Sequence, residues 1–192
     1  MGKIFVFIGK SSSGKDTIFG EVKNRIDYKT VVGYSTRPMR EGEVDGEQYF
    51  FVSEQKYKEL KAAGKVSESR DYDTVHGIWS YFTADDGQID LDNNNYLYIG
   101  TLESYEAIRD YFGAERVVPV YIEVENGERL KRALARELEQ DEPKYVEMCR
   151  RFIADEEDFS EDKIKALGIE KRFVNEDLES CISAVENYIK AN

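Results

Sequence analysis

Five consecutive apolar residues, Ile4-Phe5-Val6-Phe7-Ile8, run directly into Gly9-Lys10-Ser11-Ser12-Ser13-Gly14-Lys15. No other stretch limits the possible folds as much. An unbroken β-rich run of this length suits a central parallel strand covered on both faces. The glycines that follow let backbone N–H groups turn inward at the positive end of a helix starting near Lys15, an arrangement that surrounds phosphate oxygens. Lys15 adds a mobile point charge for the β- and γ-phosphates of a nucleotide. Residues 9–17 are therefore the expected phosphate cradle: Gly9, Lys10, Ser11, Ser12, Ser13 and Gly14, then Lys15, Asp16 and Thr17. The motif has one irregularity, because the place usually held by a Mg²⁺-binding Ser or Thr is Asp16, with Thr17 beside it. Both are candidate Mg²⁺ ligands. The carboxylate could equally pair with a lysine.

Charge narrows the partners. The 192 residues carry 27 Lys and Arg against 39 Asp and Glu, a net charge of −12. An acidic surface repels polyanions, so nucleic acid is not an expected partner, and affinity for a small anion has to come from a local basic cluster. The length suits one domain with small inserts. Cys149 and Cys181 lack metal-site spacing and fall in helical patterns, which predicts buried or half-buried thiols in a reducing compartment. No apolar run approaches the roughly 18 residues a membrane span needs, and no leader pattern precedes Gly9; a cytoplasmic protein without membrane contact is expected. The single histidine, His76, rules out a multi-histidine metal site, and its setting in Val75-His76-Gly77 reads as a turn.

Along the chain, Ile18, Phe19, Val22 and Ile26 fall at helical spacing after Lys15, giving a stripe that packs on the sheet. Residues 30–36 read as a second strand. Arg37 and Arg40 then flank the rigid Pro38, and two guanidinium groups three residues apart can converge on one phosphate in bidentate pairs. Tyr49 can offer its hydroxyl to the same anion. A solvated loop of mixed charge is the competing reading. Ser53 is placed as the N-cap of a helix that Gly64 ends. Residues 85–95, rich in Asp, Asn and Gly, read as a polar turn, since a calcium loop begun at Asp90 has Asn95 at its sixth place and Thr101 at its twelfth. Residues 96–99 and 117–124 read as buried strands, with Pro119 marking an edge or a place near a strand's start. A helix over residues 102–112 lies between them.

The stretch Ser-Thr-Arg-Pro-Met-Arg-Glu-Gly-Glu-Val-Asp-Gly-Glu-Gln-Tyr-Phe-Phe-Val, residues 35–52, resembles without a gap the GMP-binding segment of guanylate kinases. The resemblance implies that Arg37, Arg40 and Tyr49 hold the acceptor phosphate and that Ser35 belongs to the GMP site. The family's leading Ser falls on Gly33, which leaves one phosphate ligand fewer. Residues 64–70 resemble the strand carrying the base-reading glutamate, here Glu68, whose carboxylate suits the N1–H and 2-amino donors of guanine. By residue type alone, a lone Glu of this kind is usually structural. Residues 79–83 resemble the family's Tyr-Gly-Ser/Thr stretch, implying Tyr81 near the phosphate and Thr83 near the base. Arg132, Arg136 and Arg151 fall where the family's lid arginines close over ATP, although Arg132 and Arg136 also read as one face of a solvated helix. Asn175, in Arg-Phe-Val-Asn-Glu-Asp-Leu, falls where relatives meet adenine, and a helix over residues 178–189 follows.

The implied fold is α/β, a P-loop NTPase-type central parallel sheet flanked by helices, with an NMP-binding insert and a helical lid. Within a single domain of residues 1–192, the core is expected over 1–32, 96–126 and 159–192, the insert over 33–83, an acidic loop over 84–95 and the lid over 127–158. The implied reaction is ATP-dependent phosphorylation of GMP or dGMP with Mg²⁺, by a monomer or homodimer. Lys15, Arg37, Arg132, Arg136 and Arg151 are the expected catalytic cations. The largest departure is at the end of the strand over residues 96–99, where the family has an aspartate and this chain has Gly100. A binding module without catalysis, or a kinase for another phosphorylated acceptor, are the alternatives this departure leaves open.

Overall fold

The computed structural model describes residues 2–40, 42–74 and 77–192. Glu41, Val75 and His76, and with them the turn expected at His76, lie outside the described residues. At the centre is β1 (Ile4–Ile8), buried along its whole length. Its side chains alternate between two cores: Phe5 and Phe7 face one side, Ile4, Val6 and Ile8 the other. That period of two with both faces covered is what an apolar run inside a parallel sheet demands. The sheet runs in the order β2 (Lys29–Thr30), β7 (Tyr96–Ile99), β1, β8 (Val117–Glu123), β9 (Arg172–Val174), every neighbouring pair parallel. On the Phe5 face pack α1 (Lys15–Arg25), through Ile18 and Val22, and α7 (Leu178–Ala191), through Cys181, Ile182, Val185 and Ile189. On the other face lie α3 (Leu102–Phe112) and the short α6 (Glu161–Ala166), with Ile108 and Ile164 in the core.

A second sheet, in the order β4 (Phe50–Phe51), β3 (Tyr34–Ser35), β6 (Gly77–Ala84), β5 (Val66–Thr74), packs against α2 (Glu54–Ala62). Its small core stacks Tyr34 on Phe82 and sets Tyr57 and Leu60 beneath them. Ser53 caps α2 by accepting from the Lys56 N–H. The remaining pair, α4 (Asn126–Leu138) and α5 (Tyr145–Asp158), follows β8. No described helix is long and apolar enough to cross a membrane.

Three expectations need correction. Residues 30–36 are not one strand: Lys29–Thr30 pairs with β7 in the central sheet, while Tyr34–Ser35 pairs with β4 and β6 in the second. Two different sets of neighbours pull one β-prone segment apart, an outcome that local propensity cannot express. The strand expected over residues 64–70 continues to Thr74 as half of a long antiparallel hairpin, with a register shift between Val66 and Glu68. Cys149 is exposed, whereas Cys181 is buried. The reason is that α5 has a single buried residue, Met148, and so presents most of its surface to water. Pro119 conforms to expectation in a specific way. β9 pairs only with Tyr121–Glu123, so the earlier part of β8 has β1 on one side and no strand on the other, and the missing N–H costs no ladder bond there.

Candidate active site

The chain leaves β1 and closes a tight loop before α1. Ser12 and Gly14 adopt positive φ, 63° and 84°. A Cβ at Gly9 would come 2.6 Å from Ile122 O and 2.8 Å from Ser13 Oγ, and one at Gly14 would run into Asn175 Nδ2. Both glycines are therefore required by close approach, and Gly14 also by its left-handed backbone. Asn175, buried at the end of β9, donates from Nδ2 to Ser13 O at 2.8 Å. It borders the loop's cavity and at the same time braces the loop, a role not foreseen for it. Ser12 Oγ and Ser13 Oγ are buried without hydrogen-bond partners. Hydroxyls in that condition, beside amides at a helix N-terminus, fit the oxygens of a phosphate chain.

Lys15 Nζ stands 2.8 Å from Asp16 Oδ1, so the open question at position 16 is answered by a lysine pair. Asp16 lies in the first turn of α1 and is 82 % exposed, which leaves its second oxygen free to the cavity it borders. Thr17 is exposed beside it. One carboxylate and one hydroxyl next to a phosphate cradle fit Mg²⁺, which is usually held by few protein ligands together with phosphate oxygens and water.

The helix pair α4–α5 clasps this loop. Arg129 is 1 % exposed and donates to Ser11 O (3.1 Å), to Asp155 Oδ2 (3.0 Å) and to Glu156 Oε1 (2.8 Å), with its guanidinium over the Phe152 ring. Asp155 Oδ2 in turn accepts from Ser11 N, and Glu156 Oε1 from Lys10 Nζ, both at 2.8 Å. Neither Arg129 nor Asp155 stood out in the sequence, since both read as members of a charged helix face. Arg132 reaches over the cradle and donates to Asn175 O (3.1 Å) and Glu128 Oε1 (3.1 Å). Arg136 borders the same cavity, of about 800 Å³. Arg151 borders a small neighbouring cavity instead, with Ser11, Ser12 and Arg136, and pairs with Glu147 one turn away, its side chain 60 % exposed.

A second cavity of about 390 Å³ lies between the two sheets, reaching from Asp16 and Phe19 to Glu68, Tyr81 and Thr83. Its inner end is polar. Thr83 Oγ1 and Tyr98 OH each lie 3.1 Å from Glu68 Oε1 and 3.1 Å from one another. Glu68 is only 7 % exposed, and the register shift in β5 just before it is the kind of irregularity that re-aims a side chain beside a site. Burial beside Glu68 raises the Tyr98 phenol well above its ordinary value, so it remains a neutral donor. Tyr98 also accounts for Gly100: a Cβ at position 100 would sit 2.9 Å from the Tyr98 ring and 3.1 Å from Ser104 Cβ.

The expected phosphate ligands are divided by the structure. Tyr49 and Tyr81 line this second cavity, ring against ring at 5.5 Å. Arg37 stands behind them, 5.7 Å from the Tyr49 ring, and is held bidentately by Glu43 at 2.7 and 2.5 Å. That hydrogen-bonded pair lowers the Glu43 carboxyl to about 2. Arg40 N also donates to Glu43 at 2.7 Å, while the Arg40 side chain is exposed. Ser35 is fully buried, and its Oγ accepts from Arg37 N, so it shapes the turn and does not border the cavity. The cation that does border it, besides Lys23, is Arg70, which sequence reading passed over. The available signal was strand periodicity, for Arg70 is two residues beyond Glu68 and so on the same side of β5.

Comparison with known proteins agrees with this architecture. The family model described as guanylate kinase matches residues 1–192. Guanylate kinase from Nostoc sp. is 40% identical over 72 residues, 37% of this chain and 36% of the relative. Guanylate kinase from Streptococcus thermophilus is 40% identical over 73 residues, 37% of this chain and 35% of the relative. These alignments thus span about a third of the curated relatives' length. The crystal structure of guanylate kinase from Anaplasma phagocytophilum superposes with a TM-score of 0.65 at 19% identity, covering 99% of this chain and 85% of that one.

Proposed function

The chain belongs to the guanylate kinase family, and from that premise we propose that it transfers the γ-phosphoryl group of ATP to GMP or dGMP, giving ADP and GDP or dGDP. The observation that carries this reading is the junction of the two cavities: the phosphate cradle and the pocket of Glu68 share Asp16, Tyr49, Arg70 and Ile99 as walls. A donor in one and an acceptor in the other meet end to end.

In the proposed reaction the residues act by position and charge. The acceptor phosphate already carries a nucleophilic oxygen, so no general base is required. As that oxygen bonds to the γ-phosphorus, the bond to the β–γ bridging oxygen breaks and ADP leaves with the electron pair. Negative charge spreads over the equatorial oxygens in flight, and preorganised cations offset it. Lys15, Arg132 and Arg136 supply that charge from the donor side. Asp16 and Thr17 would hold Mg²⁺, which would supply further neutralisation of the phosphates. Glu68 accepts from guanine N1–H and the 2-amino group, its carboxylate oriented by Thr83 and Tyr98. An adenine offers no such donor pair. Arg37 serves the acceptor phosphate by exchanging Glu43 for it, one anion for another. Arg151 takes part only by leaving Glu147 as the lid closes.

The test is ADP production by the purified protein with ATP, Mg²⁺ and each nucleoside monophosphate in turn. Fastest turnover with GMP and dGMP is expected, falling by about 10²- to 10³-fold in Lys15→Ala. ADP production that does not rise when GMP or dGMP is added overturns the proposal.

A further inference from the structure

We propose that Arg70 is a catalytic residue of this cleft, binding the acceptor phosphate and the phosphoryl group in transit between the two nucleotides. The inference rests on the transfer reaction just described and adds to it a ligand that the motif-bearing loop does not contain.

Location comes first. Among the described residues, Arg70 is the one cation that borders both the phosphate cradle and the Glu68 pocket. It is placed there by a rigid element, the β5–β6 hairpin, where it lies directly opposite Tyr81. A guanidinium on a strand is held more firmly than one on a loop, and firm placement is what charge stabilisation in flight requires.

Its bonding state points the same way. Among the described residues, Arg70 Nε is buried without a hydrogen-bond acceptor, and Glu68 Oε2 is 3.4 Å away. An arginine kept only to neutralise Glu68 should close a bidentate pair, as Arg37 does with Glu43 at 2.7 and 2.5 Å. Instead the hydroxyls of Thr83 and Tyr98 occupy Glu68 Oε1. A buried guanidinium donor left unpaired costs free energy that a phosphate oxygen would recover, and the planar fork of Arg matches two such oxygens. Of the other cations near the cleft, Lys15 pairs with Asp16, Arg132 with Glu128 and Asn175 O, and Arg37 with Glu43 through its terminal nitrogens, its Nε being unpaired like that of Arg70.

The experiment compares wild type with Arg70→Gln and Arg70→Lys, each first shown to melt as the wild type does. Calorimetry with GMP and with guanosine separates phosphate from base contacts, and steady-state assays give kcat and KM. In Arg70→Gln, GMP is expected to lose a large part of its affinity advantage over guanosine while guanosine binding is unchanged. The kcat/KM for GMP should fall by about 100-fold or more. Free guanidinium ion at low millimolar concentration should restore part of the rate, and Arg70→Lys should retain more activity than Arg70→Gln. Unchanged kcat/KM in Arg70→Gln overturns the assignment, as does equal loss of GMP and guanosine binding without guanidinium rescue, the pattern of a mere prop for Glu68. The two proposals fail separately. A wild type that binds GMP more tightly than guanosine but transfers no phosphoryl group sinks the reaction, while the same comparison in Arg70→Gln still decides the phosphate contact. A wild type that binds GMP no better than guanosine sinks the contact itself.

Discussion

At position 100 the family's aspartate is sterically excluded by a neighbour two residues away, because the Tyr98 ring and Ser104 already occupy the volume of even a methyl group. The ring needs that space to bring its hydroxyl to Glu68 and Thr83. One acid is thereby exchanged for a neutral phenol that orients another acid. Gly100→Asp should therefore destabilise the protein by about 1–3 kcal/mol through overpacking. Most of that penalty should vanish in a Tyr98→Ala background, as read from denaturant midpoints. Equal penalties in both backgrounds would show that the ring is not the obstacle. The exchange could not be seen in the sequence: Gly100 was visible as a departure, but its cause is a distance between two side-chain positions on one face of a strand. Glu43 illustrates the same limit. It was visible as one of many charges in a loop, and only the fold shows that it occupies Arg37.

Among elements, the pair α4–α5 depends on a buried cluster, whereas most of its other charges are at the surface. Arg129 holds Asp155, Glu156 and the backbone of Ser11 together at 1 % exposure. Removing one member of such a cluster strands its partners: Arg129→Ala should cost about 3–5 kcal/mol. Arg150→Ala, at an exposed pair with Glu147, should change stability far less. Comparable losses for the two in urea titrations would contradict this account of the clasp. Protonation probes it independently. Burial pushes the Glu156 carboxyl up, but hydrogen bonds from Lys10, Asn126 and Arg129 outweigh this and hold it at about 2, against an ordinary 4.5. A folded-state pKa below the unfolded one means a contribution that is complete above pH 4.5 and fades as pH falls toward 2. Wild type should accordingly lose stability more steeply than Glu156→Gln across that window, and parallel melting curves would refute the claim. The elements themselves were legible wherever one periodicity sufficed, as in β1, α1 and α7. They were misread at residues 30–36, where the pairing partners belong to two different sheets.

For the whole molecule, the acidic balance of 39 carboxylates against 27 Lys and Arg makes the cleft a local exception. Lys15, Arg70, Arg132 and Arg136 border one cavity beside the phosphate loop, so basic groups gather where a polyphosphate would lie. The cradle was readable because its glycines, serines and lysine are contiguous, and a contiguous motif carries its own geometry. The acceptor side was readable only in part, since Tyr49, Glu68, Tyr81 and Thr83 follow the family's pattern while Arg70 and Tyr98 acquire their places through the hairpin and the central sheet. The proposed transfer requires both nucleotides to lie in one continuous cleft with their phosphates in line. The most direct measurement is inhibition by an adenosine and a guanosine joined 5′ to 5′ through five phosphates. The account predicts a linear inhibitor competitive with ATP and also with GMP, bound far more tightly than either nucleotide alone. Competition with ATP only, at an affinity no better than that of ATP, would contradict it.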